Sequence, residues 1–287
     1  MWHIRFVASG MLIAVFVFLF GLIIGSFLNV CIVRIPGGKS IVLPASACVK
    51  CGAAIRPYDN IPVISYLFLR GKCRKCGNPI SAMYPVVELL TGLLFLGCYE
   101  AFGLTAEALK WAVFSAIMVV LVFMDLRERI LPDVVNFTGF GLGLLLSFFT
   151  TPVDGTALAL AKRIFEFPPP APVLSFVDAL LGAAAGSGLL WLVSEVYFRL
   201  RGREGMGMGD VKMMLMAGAF LGLKRTLLTI FTGSVLGSVL GIIVIVARRK
   251  DSDYELPFGT FLGMAALLVV FFGTPIVYWY QGLLVVR

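Results

Sequence analysis

Eight apolar runs, near residues 10–33, 84–103, 107–125, 132–150, 176–198, 210–223, 226–247 and 259–284, take up most of this 287-residue chain. A helix crossing about 30 Å of hydrocarbon needs about 20 apolar residues. Most of the runs meet that length, and 210–223 is the short one. With 60% hydrophobic and only 14% charged residues, the chain departs far from soluble globular composition. Strand-like alternation is absent and backbone polar groups in lipid must be satisfied within their own segment, so a helical bundle is the expected architecture. The fold class is therefore all-α and polytopic, with about eight transmembrane helices. Three parts are expected: a first span at 1–33, a small loop domain at 34–82 and a helical membrane core at 83–287. The first run is long, rich in Phe and Gly and lacks a small-residue cleavage site, so it reads as a retained anchor.

Orientation follows from the basic residues. One set of alternate loops carries Arg34, Lys39, Lys50, Arg56, Arg70, Lys72, Arg74 and Lys75, then Arg127 and Arg129, then Arg199, Arg201 and Arg203, then Arg248, Arg249 and Lys250. The other set carries Arg5, Lys110, Lys162, Arg163, Lys224, Arg225 and Arg287. The richer side is expected in the cytoplasm. The net charge of +8 follows from this asymmetry, with attraction to anionic membrane lipid as a consequence. The basic residues lack a binding-domain pattern, so no nucleic-acid partner is expected.

Two acids then stand out, Asp125 in FMDLRERILPD and Asp210 in EGMGMGDVK. Each ends an apolar segment, and both fall on the expected cytoplasmic side. A carboxylate at the edge of hydrocarbon is costly unless paired or hydrated, which makes it a functional candidate; taken singly, each also reads as an ordinary helix end. Gly205, Gly207 and Gly209 alternate before Asp210 and would let the backbone bend or approach a ligand. Two nearby carboxylates do not both ionise cheaply, so one holds a proton while the other activates water, and their titration belongs to the pair. Lys212 either tunes Asp210 or snorkels to the interface. Asp133 after Pro132 reads as a helix start, FPPPAP at 167–172 as a stiff connector, and Gly182, Gly186 and Gly188 as close helix packing.

The loop at 34–82 carries Cys48-Val-Lys-Cys51 and Cys73-Arg-Lys-Cys76. Two CxxC pairs about twenty residues apart match a four-thiolate zinc site with no open position, which makes the metal structural. Two disulfides are the alternative, disfavoured in a reducing cytoplasm. Cys31 and Cys98 lack partners at ligand spacing and read as small buried hydrophobes. His3 is the only histidine, and neither a nucleophile elbow nor a phosphate loop is present.

Several long motifs resemble the type IV prepilin peptidases, bifunctional bacterial membrane enzymes of the GxGD aspartyl type. They are GSFLNVCIVRIP at 25–36, YDNIPVISYLFLRGKCRKCGNPIS at 58–81, YPVVELLTG at 84–92, DLRERILPD at 125–133 and GMGMGDVK at 205–212. The family often has a longer, Asp-rich segment after its first aspartate, where this chain has Arg127 and Arg129. The resemblance implies a catalytic pair at Asp125 and Asp210, supported by Gly207, Gly209 and Lys212, and zinc ligands at Cys48, Cys51, Cys73 and Cys76. It further implies an inner-membrane enzyme that cuts the basic leader of prepilins or pseudopilins at the cytoplasmic face. The new N-terminus, usually Phe, is then methylated from S-adenosylmethionine. Donor-site candidates are positional: Asp59, Asn60, Arg70 and Glu88. Asp59-Asn60 also reads as a turn and Arg70 as a topology signal, whereas Glu88 lies inside an apolar run and would receive the substrate amine. A peptidase without methyl transfer and an ion-coupled transporter with aspartate relays are the rival readings. A homodimer is compatible with the sequence and not required by it.

Overall fold

The computed structural model describes residues 2–152, 155–203, 205–248 and 257–285. Of the basic residues counted for orientation, Arg249, Lys250 and Arg287 lie outside the described residues, as do the side chains of Arg5 and Arg248; so does the side chain of His3. The described chain is helical, with only two isolated bridge pairs and no strand. The helices are α1 (Trp2–Arg34), α2 (Ile64–Phe68), α3 (Met83–Phe102), α4 (Ala106–Glu128), α5 (Asp133–Ser147), α6 (Thr156–Ile164), α7 (Ala171–Arg201), α8 (Met208–Arg248) and α9 (Phe258–Val285). Among the described residues, five helices are long and apolar enough to cross a membrane: α1, α3, α4, α7 and α8. The described apolar parts of α5 and α9 are shorter. The runs 210–223 and 226–247 form two helical segments, together labelled α8, that meet at Gly222, whose φ of 71° and ψ of −179° break the helical path. Only glycine takes that conformation without strain.

The chain divides into two compact units, Met1–Val120 and Leu121–Arg287. In the first, α1 packs on α3 through small residues: a Cβ on Gly25 would lie 2.7 Å from the Cα of Glu88, and one on Gly21 would lie 2.8 Å from the Cα of Gly92. Without a hydrophobic drive between helices in lipid, such close backbone approach supplies the packing energy. The loop begins by folding back on α1, whose Arg34 guanidinium donates to the carbonyls of Ser40 and Pro44 at 3.0 and 2.8 Å. Cys31 and Cys98 are buried, as expected of small hydrophobes.

In the second unit, α8 packs against α5, α7 and α9. Its first half is the driest element, with Met213, Met214, Met216, Ala217, Ala219, Phe220 and Leu221 fully buried. Gly182 of α7 meets Gly218 of α8 backbone to backbone, and a Cβ on Gly186 would lie 2.5 Å from the Met214 carbonyl. Gly188 has open space where its Cβ would be, so of the three glycines only Gly182 and Gly186 serve helix packing. FPPPAP ends in the start of α7, with Pro170 as its N-cap. The preceding α6 was not visible as an apolar run because it is short and amphipathic. Asp178, fully buried on α7, accepts the Ala157 N–H at 2.7 Å and caps the first turn of α6.

Candidate functional site

The last turn of α4 carries Asp125, the first turn of α8 carries Asp210, and α9 opens beside them with Phe258-Gly259-Thr260. All three pieces belong to the second unit. Asp125 and Asp210 are buried, at 5% and 8% exposure, yet each sits within a turn of a helix end. Gly259 measures how close they come. A Cβ built there would lie 2.9 Å from Asp210 Oδ1, 3.1 Å from Asp125 Oδ2 and 2.9 Å from Leu131 Cδ1. The two carboxylates therefore border the space of one methyl group, with Leu131 as an apolar wall.

Asp125 Oδ2 accepts two hydrogen bonds from Thr260, from the main-chain N–H at 2.6 Å and from the hydroxyl at 2.8 Å. No donor among the described residues is shown on the Asp210 carboxylate. The sequence reasoning missed both Gly259 and Thr260. Their Phe-Gly-Thr context is chemically ordinary, and only the fold brings a residue 135 positions away onto Asp125.

The other sequence candidates around the pair have more local roles. Neither Gly207 nor Gly209 has a positive φ. What Gly209 needs is space, because a Cβ there would lie 3.1 Å from the Leu131 Cβ; the Cβ position of Gly207 is 3.7 Å from Asp210 Oδ2. Lys212 does not reach Asp210. Its ammonium donates to both oxygens of Asp133, each at 2.8 Å, tying the start of α8 to the start of α5. Asp133 is the first residue of α5, as its acid-after-proline pattern led one to expect.

In the first unit, the four sulfurs of Cys48, Cys51, Cys73 and Cys76 lie within 4.8 Å of one another. Cys48 and Cys76 Sγ are 3.9 Å apart, and all four are free thiols. Zn–S bonds of about 2.3 Å in a tetrahedron separate sulfurs by about 3.8 Å, so the cage fits that ion. The two CxxC turns are built alike. The Gly52 N–H donates to the Cys48 carbonyl and the Gly77 N–H to the Cys73 carbonyl, each at 2.9 Å, with φ of +67° and +68° at the two glycines. Within each turn, main-chain N–H groups point at the first sulfur. Those of Cys51 and Lys50 hold the Cys48 thiol down at about 6, and those of Cys76 and Lys75 lower Cys73. The main-chain bond from Asn78 pulls Cys76 down, but desolvation and the three neighbouring sulfurs outweigh it and push that thiol up to about 11. A metal bound here would take all four sulfurs as thiolates, displacing the protons that remain, that of Cys76 above all.

The remaining candidates divide between two places in the same unit. Asp59 makes a bidentate contact with Arg74, at 2.6 to 3.1 Å, and this guanidinium holds its carboxyl below the usual range. The pair borders a cleft of ≈ 290 Å³ walled by Tyr58, Ile61, Ile64 and Phe68. Asn60 caps the short 3-10 turn Pro57–Asp59. Arg70 is exposed at φ +51° and does not line that cleft. Glu88 is buried on α3, and its Oε2 accepts the Val63 N–H at 2.8 Å, fastening the 61–65 turn to the helix. One turn away, Asn29 of α1 donates to the Tyr84 carbonyl at 3.0 Å.

Two family descriptions match the chain: the bacterial peptidase A24 N-terminal domain over residues 19–102 and the type IV leader peptidase family over residues 112–242. Relatives named prepilin leader peptidase/N-methyltransferase include one from Myxococcus xanthus (strain DK1622), 40% identical over 84% of this chain and 66% of its own length. One from Pseudomonas aeruginosa is 34% identical over 90% of both chains, and one from Burkholderia pseudomallei (strain 1026b) is 32% identical over 93% of this chain and 87% of its own. No solved structure matches.

Proposed function

The chain belongs to the type IV leader peptidase family, and from that premise we propose that it cuts the leader of prepilins or pseudopilins with Asp125 and Asp210 and then methylates the new N-terminus. The observation that carries the reading is the convergence of both carboxylates on the position of a Gly259 Cβ. One carboxylate takes a proton from a water lying between them, and that water attacks the scissile carbonyl. The other gives its proton to the carbonyl oxygen and, as the intermediate collapses, a proton passes to the leaving amine. Two identical side chains thereby supply an acid and a base.

This reading sets the pair at the cytoplasmic edge of the inner membrane, in keeping with the positive-inside count. An ion-coupled transporter fits less well. Its carboxylates belong near the midplane on broken helices, whereas Asp125 lies in the last turn of α4 and Asp210 in the first turn of α8.

Zinc at Cys48, Cys51, Cys73 and Cys76 would hold a loop too small to build its own core. For the methyl donor, the cleft beside Asp59 combines apolar and aromatic walls with one acid and one base, chemistry suited to an amino-acid zwitterion joined to a flat base. S-adenosylmethionine would supply an electrophilic methyl group there. Asp59 and Arg74 would bind and orient it, and Asn60 and Arg70 belong to the same stretch of loop. Glu88 would hold the substrate's amine, whose charge a buried carboxylate attracts. The test is to incubate the purified chain with a prepilin and a methyl-labelled donor. Shortened, labelled product supports both activities; shortened, unlabelled product removes the methyl-transfer half; an uncut substrate removes the whole reading.

A further inference from the structure

The two carboxylates are not equivalent. Asp125 Oδ2 takes both the N–H and the hydroxyl of Thr260, while Asp210 receives no donor from the described residues. Thr260 is the third residue of α9, so its N–H has no acceptor within its own helix. Asp125 supplies that acceptor from α4, and the positive end of the α9 dipole adds to the attraction. Thr260 is itself 5% exposed, so water does not compete for either bond.

We propose that Thr260 is a positioning residue for cleavage, holding the Asp125 carboxylate through Oδ2, the oxygen that borders the Gly259 space together with Asp210 Oδ1. The inference rests on the aspartyl-pair reading above. Two donors on a single oxygen restrict rotation of the carboxylate, and catalytic groups need placement within about 0.5 Å of the productive geometry. The bond ties together the last turn of α4 and the first turn of α9, so the same contact sets both the orientation of the acid and the position of Gly259 beside it.

Thr260→Val keeps the shape and the N–H but removes the hydroxyl, Thr260→Ala removes it with less bulk, and Thr260→Ser keeps both donors. Cleavage of a prepilin by the purified full chain should show kcat reduced about tenfold in T260V and T260A with KM unchanged, since a hydrogen bond to a charged group is worth at least a factor of that order. T260S should stay within about threefold of the parent. Melting temperatures monitor folding, and if T260V does not fold, T260A against T260S makes the same comparison. Wild-type kcat in the folded hydroxyl-less variants, or an equal loss in T260S, overturns the proposal. Cleavage that survives Asp125→Asn and Asp210→Asn would instead overturn the aspartyl-pair reading, so the two failures are distinct.

Discussion

At Gly259 a hydrogen atom stands where any other residue would place carbon against two carboxylates. Gly259→Ala would set a methyl group 2.9 Å from Asp210 Oδ1 and 3.1 Å from Asp125 Oδ2. The oxygens are the ends of movable side chains, so α9 should still form while the pair is pushed out of register. A displacement of about 1 Å can cost about 10²-fold in rate. Cleavage should drop by that order with the melting temperature little changed, and an active variant would show that the space beside Gly259 is not used. A second residue-scale prediction concerns Asp59, whose folded pKa lies below the ordinary value because of Arg74. A lowered folded value means that the pair's contribution is complete above the unfolded value near about 4 and is lost as pH falls through the folded one. The protection of the loop from protease in the wild type, relative to Asp59→Asn, should be constant near neutrality and shrink on acidification; a difference that persists at low pH would deny the ion pair that role. Asp125 and Asp210 were legible in the sequence because a charge at the end of an apolar run is conspicuous. Thr260 was not, because a threonine in an apolar helix carries no signal until its hydroxyl is seen to face an acid.

The two CxxC turns were equally legible, since spacing and a following glycine define a local structure that needs little from the rest of the fold. Cys73→Ser removes one of four sulfurs that lie within 4.8 Å of one another. It should reduce bound zinc below about one ion per chain and speed proteolysis around residues 45–80, as should a chelator. Full metal content in the variant, or four sulfurs paired as disulfides, would contradict the site. Glu88 tests a different element. Glu88→Gln keeps an oxygen that can accept the Val63 N–H but loses the charge that would hold an amine. It should lower methylation more than cleavage when both products are measured from one reaction, and parallel losses would reduce Glu88 to a fastener of the loop. Less of the helix detail was legible. Hydropathy did separate the runs 210–223 and 226–247, and the helical path breaks at Gly222, at the end of the first. The amphipathic α6 escaped because its docking depends on Asp178, a buried acid inside α7 that reads in sequence as one more polar interruption.

On the scale of the whole molecule, composition was enough to specify helices, because lipid leaves a chain of this hydrophobicity few other ways to satisfy its backbone. Composition did not specify how helices distant in sequence meet. Asp125, Asp210 and Thr260 come from three helices; α9 packs on α8, and the two hydrogen bonds from Thr260 join it to Asp125 of α4. The account therefore stands on those acids acting as one unit. The most direct test is initial-rate cleavage of a purified prepilin by the wild type, Asp125→Asn and Asp210→Asn, each shown to be inserted and folded. Each substitution alone is predicted to lower the rate by at least about 10²-fold, the lower end for loss of a general acid or base, because neither carboxylate can do the other's work. Near wild-type cleavage by either folded variant would contradict it.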